Sequence, residues 1–128
     1  MGKILIVDDD KNYRASLRRL LMDLDYKVVE AKNGEEAISQ CMESSINIVI
    51  TDIFMPEKDG LELIIELKKS FQNAKIIAIS GGVTKLNVPL NMLEQAKRLG
   101  AHHVIEKPFR NEQLLSAIKD ISDSEDSS

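Results

Sequence analysis

The sequence predicts an α/β domain: an open parallel sheet with helices on both faces. Two observations carry this. Short apolar runs alternate with longer segments of helical period, and three of the runs, Ile4–Val7, Ile46–Thr51 and Ile76–Ile79, are nearly unbroken in aliphatic residues. A strand with one wet face alternates apolar and polar residues, so unbroken runs belong to strands covered on both faces. Regular β–α alternation stacks such strands between two layers of helices, and right-handed crossovers leave few strand orders.

Strands are expected over Lys3–Val7, Lys27–Glu30, Asn47–Thr51, Lys75–Ile79 and His103–Ile105. Between the first two, Tyr13, Leu17, Leu20, Leu21 and Leu24 form one apolar stripe at helical spacing. Ala37, Ile38, Cys41 and Met42 form a second, opened by Asn33 as N-cap with Glu36 three residues on as the reciprocal acid. Leu61, Ile64, Ile65 and Leu67 carry a third helix. Met92, Leu93, Ala96 and Leu99 carry a fourth, closed by Gly100 in the C′ position. Leu114, Leu115, Ile118 and Ile121 carry a fifth. The domain is expected over residues 1–121. The tail 122–128 holds only Ser, Asp and Glu, cannot bury apolar surface and is expected to be disordered.

Bulk numbers narrow the function. A length of 128 residues suits one domain with a real core. The net charge of −4 argues against a basic nucleic-acid footprint, and the absence of Trp against stacked-base recognition. No apolar run approaches the ~20 residues of a membrane span. Lys3 runs straight into an aliphatic stretch and then acids, which is not a signal peptide. The lone cysteine, Cys41, fits a reducing, cytoplasmic setting.

In open α/β sheets, ligands bind beyond the carboxyl ends of the strands. Asp8, Asp9, Asp52, Ser80 and Lys107 all fall at such ends. Clustered carboxylates repel one another and raise one another's pKa unless a cation intervenes. An acidic pocket with a lysine beside it therefore suits a hard divalent metal and an anionic group. Blander roles fit other residues. Asp10 reads as a helix N-terminal acid, Gly60 as a turn at the third helix, and Cys41 and the methionines as packing. His102 and His103 are adjacent in a strand, face opposite ways, and are given structural or surface roles rather than a metal.

Taken together, Ile4-Leu5-Ile6-Val7-Asp8-Asp9-Asp10, Asp52-Ile53-Phe54-Met55-Pro56 with Asp59-Gly60, Ile79-Ser80-Gly81, Gly100-Ala101 and Lys107-Pro108-Phe109 resemble the receiver domain of two-component response regulators (CheY-like). The resemblance covers about residues 3 to 121. It implies a flavodoxin-like (βα)5 three-layer sandwich with parallel strand order 2-1-3-4-5. It implies that Asp52 accepts a phosphoryl group from the phosphohistidine of a sensor histidine kinase or a phosphotransfer protein. Asp8, Asp9, Asp52 and the backbone carbonyl of Phe54 match the family's Mg2+ ligands. Ser80 matches the hydroxyl that senses the phosphoryl group, and Lys107 the lysine that pairs with it. The Lys107–Pro108 bond is implied to be cis. Such a domain is a signalling phosphoacceptor rather than an enzyme, catalysing only its own phosphotransfer and autodephosphorylation. Its output is a changed surface around the fourth helix, fifth strand and fifth helix that controls a protein effector, with no direct nucleic-acid or membrane partner.

Two features depart from the family. Val104 stands where receivers often carry Tyr or Phe, so an inward-swinging aromatic cannot report the switch. The segment Gly81–Leu90 is longer than the common loop and carries Gly81-Gly82. The alternative reading is a small Mg2+-dependent aspartyl-phosphate phosphatase of the haloacid-dehalogenase type. Those enzymes usually carry Asp-x-Asp at the nucleophile, and here Phe54 occupies the second position.

Overall fold

The computed structural model describes residues 3–53, 60–80, 91–107 and 109–126; for Ser80, 91–93 and 123–126 it describes the backbone alone. Strands and helices alternate in the order β1 (Lys3–Val7), α1 (Lys11–Asp23), β2 (Lys27–Ala31), α2 (Gly34–Glu43), β3 (Ile46–Asp52), α3 (Gly60–Ser70), β4 (Lys75–Ser80), α4 (Asn91–Leu99), β5 (His103–Glu106) and α5 (Asn111–Asp126). The strands form one parallel sheet in the order β2-β1-β3-β4-β5. This is the expected flavodoxin-like arrangement.

The unbroken apolar strands are explained by two cores, one per face. Leu5, Val7, Val49, Ile76 and Ala78 pack with Ala37, Leu63, Ile64, Leu67 and Ala96 of α2, α3 and α4. Their neighbours in sequence, Ile4, Ile6, Ile48, Ile50, Ile77 and Ile79, point the other way, against Leu17, Leu21, Leu114 and Ile118 of α1 and α5. Side chains alternate faces along a strand, so every residue of a doubly covered strand must be apolar. Val104 is partly buried against the first core. Among the described residues no helix is long and apolar enough to cross a membrane.

Helix ends follow the chemistry of their caps. Asp10 caps α1, its side chain accepting from the amides of Asn12 and Tyr13. Asn33 caps α2 by accepting from Glu36 N at 2.8 Å. Glu36 reaches back as expected, but onto Lys32 N at 2.9 Å, one residue earlier than a simple capping box. Gly100 closes α4 with φ of +131°. Its amide donates to Lys97 O, and Ala101 N donates to Ala96 O, the pair of bonds that defines a Schellman end. The space a side chain would need at Gly100 is filled by the methylenes of Lys68 from α3. An unforeseen cap of the same type closes α1, with Asp25 at φ +70° in the glycine position and Tyr26 N donating to Leu21 O. Helix α5 carries helical backbone to Asp126, past the boundary expected at residue 121.

Each of the two histidines has a partner within the fold. His102 brackets β4: its amide donates to Ile76 O at 2.7 Å, and its Nδ1 accepts from Ile76 N at 3.1 Å. His103 Nε2 meets Asp120 Oδ2 of α5 at 2.9 Å.

Candidate functional site

Chain reversal sets the place of the site. From β1 the chain passes outward to β2, then crosses back to β3 on the other side of β1. The crevice beyond the carboxyl ends of β1 and β3 is the switch point of the sheet. Asp8 and Asp9 follow β1, and Asp52 ends β3. Carboxylate oxygens of these three residues lie within 4.8 Å of one another. Asp8 and Asp52 are buried, 2% and 8% exposed, while Asp9 is open to solvent.

Lys107 follows β5 and reaches the cluster, its Nζ 3.5 Å from Asp8 Oδ2. The sheet thus brings together Asp8, Asp9, Asp52 and Lys107. Ser80 is the last residue of β4, in register with Glu106 next to Lys107. Phe54, Pro108 and the segment 81–90 lie outside the described residues.

The backbone around the carboxylates is held tightly. Asp8 Oδ1 accepts from Asp10 N at 2.8 Å, and Asp8 N donates to Ala31 O at 3.2 Å. Arg14 Nη1 donates to the Asp8 carbonyl at 2.6 Å, while its Nε pairs with Glu30 of β2 at 3.1 Å. The Thr51 hydroxyl donates to the Asp52 carbonyl at 3.0 Å. After Asp52, Ile53 N donates to Ile79 O at 2.9 Å and Gly60 N to Ile53 O at 2.8 Å. A Cβ at Gly60 would lie 2.4 Å from Asp52 O and 2.5 Å from Ile53 Cα. Only glycine lets α3 begin this close to the strand end that carries Asp52.

Burial pushes the Asp8 carboxyl above its ordinary pKa. The Asp10 amide and Lys107 pull the other way, and Asp9 adds to the rise. Three carboxylates so spaced, two of them buried, concentrate negative charge that one lysine only partly offsets. Their all-oxygen donor set suits a hard divalent cation such as Mg2+. One groove lies elsewhere, between the ends of α2 and α3 near Ser44, Ile46, Phe71 and Asn73, and the three carboxylates do not line it.

Four supporting residues, Arg14, Glu30, Gly60 and Tyr13, are not evident as site residues from the sequence. Glu30 carried a signal, since a charge in a half-covered strand needs a partner, and Arg14 is that partner. Gly60 was read only as a turn, and Tyr13 only as part of an apolar stripe, although Lys107 Nζ stands 3.7 Å from the centroid of its ring.

Comparisons with known proteins agree with this geometry. The family model described as "Response regulator receiver domain" matches residues 4–119. The chemotaxis protein CheY of Listeria monocytogenes is 37% identical over 120 residues, covering 93% of this chain and 97% of its own. The transcriptional regulatory protein CpxR of Klebsiella pneumoniae is 31% identical over 94% of this chain, which spans 49% of that longer protein. Among solved structures, the response regulator protein TrrA of Thermotoga maritima, in complex with Mg2+-BeF, is 30% identical, with a TM-score of 0.80 over 94% of this chain and 99% of its own.

Proposed function

This chain belongs to the response regulator receiver family of two-component signalling, and on that footing we propose that it is a phosphoacceptor switch with Asp52 as the acceptor. The observation that carries the reading is the gathering of Asp8, Asp9 and Asp52 from two strand ends, with Lys107 beside them.

In the proposed step an Asp52 carboxylate oxygen attacks the phosphorus of a phosphohistidine on a kinase or phosphotransfer protein. The new O–P bond forms as the P–N bond breaks. The electron pair leaves on the imidazole nitrogen, which takes a proton from solvent. The product is an acyl phosphate on Asp52. Asp8, Asp9 and Asp52, with the Phe54 carbonyl, would hold Mg2+, which when bound supplies positive charge against the phosphoryl oxygens. Lys107 contributes a charge-assisted hydrogen bond to one phosphoryl oxygen, and the Ser80 hydroxyl another. The Arg14–Glu30 pair and the Asp10 amide keep Asp8 from drifting as charge accumulates. A phosphoryl group adds roughly −1.5 to −2 charge, and the response we assign is a shift of the surface formed by α4, β5 and α5 toward a protein effector.

The test is incubation with acetyl phosphate and Mg2+ followed by intact mass. One phosphoryl mass per chain is expected, absent in Asp52→Asn and suppressed by EDTA. Turnover of many molecules of a stable phosphate monoester such as p-nitrophenyl phosphate per chain would favour the phosphatase reading and overturn this one.

A further inference from the structure

Tyr13 stands in the first turn of α1, with its amide held by the Asp10 cap next to the acidic pair. Its ring packs against the α1–α5 core. Lys107 Nζ lies 3.7 Å from the ring centroid and 3.5 Å from Asp8 Oδ2, so the ammonium is bracketed by an aromatic face and a carboxylate. The Tyr13 hydroxyl oxygen is buried and has no hydrogen-bond partner among the described residues. Burial first, then the charges of Asp8 and Asp52, hold that phenol in its neutral form. The contact Tyr13 makes with Lys107 is through its ring face.

A lysine on a strand end has four rotatable bonds and many positions open to it. The negative face of an aromatic ring attracts the ammonium and removes most of them. We propose that Tyr13 is the positioning residue for Lys107: its ring face holds the ammonium at the mouth of the acidic pocket, ready for the phosphoryl group. This rests on the reading of Asp52 as the phosphoacceptor. The ring covers one side of the ammonium and leaves donors free on the pocket side. Pre-ordering of that kind speeds a reaction whose catalysis is mostly placement.

The test uses the full chain with Lys107 or Lys107→Met, each with Tyr13, Tyr13→Phe or Tyr13→Leu, and measures the rate of phosphoryl uptake from acetyl phosphate with Mg2+. Tyr13→Phe keeps the ring and should retain the rate. Tyr13→Leu should slow uptake by about 2- to 30-fold, the span of cation–π strengths. In the Lys107→Met background the same leucine substitution should cost nothing further. A leucine effect of equal size in both backgrounds, or a phenylalanine variant as slow as the leucine one, overturns the proposal. A second measurement is free of phosphorylation: the ε-methylene protons of Lys107 should be ring-shielded in the wild type and in Tyr13→Phe, and unshielded in Tyr13→Leu. Unshielded protons in the wild type refute the contact itself. A wild type that takes up no phosphoryl group while its lysine is shielded sinks the phosphoacceptor reading and leaves the contact standing.

Discussion

Gly60→Ala is a small substitution with a large expected effect, and its sign is diagnostic. At an ordinary helical position, replacing glycine by alanine stabilises a protein by about 0.4–1 kcal/mol, because the unfolded chain loses freedom. At Gly60 the new methyl carbon would lie 2.4 Å from Asp52 O and 2.5 Å from Ile53 Cα. Relaxed contacts between such atoms are about 3.5 Å, so α3 and the end of β3 must separate by about 1 Å. Both obstructing atoms are backbone, and no rotamer change relieves the clash. The Gly60 N to Ile53 O bond, now 2.8 Å, would stretch beyond useful length. Overpacking costs about 1–3 kcal/mol and the lost bond about 1 kcal/mol; set against the alanine gain, the net loss is about 1–4 kcal/mol. The urea midpoint should fall with the slope unchanged. A displacement of about 1 Å at Asp52 should also slow phosphoryl uptake, on the order of 100-fold. A variant as stable as the wild type and equally fast would show that the close approach of α3 does not hold Asp52 in place.

Three further outcomes are expected. Stability should fall as the pH drops below about 6.5, because burial first, then Lys68, Lys75 and His103, hold the His102 pKa below its ordinary value; a depressed pKa contributes stability that is complete above the unfolded value and lost on acidification. His102→Asn should flatten that part of the pH profile, and an unchanged slope would assign it elsewhere. Asp25→Gly should stabilise the fold by about 1 kcal/mol, seen as a higher urea midpoint, since Asp25 holds φ of +70° where glycine is free of the Cβ penalty; a loss of stability would mean the Asp25 side chain matters more than its backbone. The buried Asp8 carboxyl is raised in pKa, so its ionised form costs stability that is absent below the unfolded value and appears as pH rises through the folded one. Mg2+ should therefore raise the melting temperature at neutral pH. Asp8→Asn should be more stable than the wild type without metal and respond less to it. Equal Mg2+ responses in the two would remove Asp8 from the metal site.

What could be read from the sequence was what repeats or stands at a strand end. Runs such as Ile76–Ile79 had to be buried on both faces, and they serve the two cores by turns. Asp8, Asp52 and Lys107 were legible as a group because the ends of parallel strands share one edge of the sheet. Asp10 was legible as an acid at a helix N-terminus, but its side-chain bonds to the amides of Asn12 and Tyr13, which make it the cap, were not. The features that escaped depend on contact between distant elements. Nothing near Gly60 announces that α3 begins against the carbonyl of Asp52. No glycine marked the left-handed turn at Asp25, so its signal was missing. Glu36 was expected to reach its own cap residue and instead serves Lys32, a choice made by the path of the incoming loop. The polar composition after Ile121 argued against order, yet helical backbone persists to Asp126.

The closing turn of α4 limits how that helix can move. Gly100 and Ala101 lock its last carbonyls, Ala96 is fully buried, and the Lys68 stem occupies the hollow above Gly100. Sliding the helix along its axis would carry Gly100 off the Lys68 stem and Ala96 out of its packing together. Tilting about that anchored end does neither. With nine residues at 1.5 Å each, α4 is about 13 Å long, so a tilt of about 10° carries its free end through roughly 2 Å. The helix is a lever with its fulcrum at Gly100, and its largest travel falls at its amino end, at Asn91.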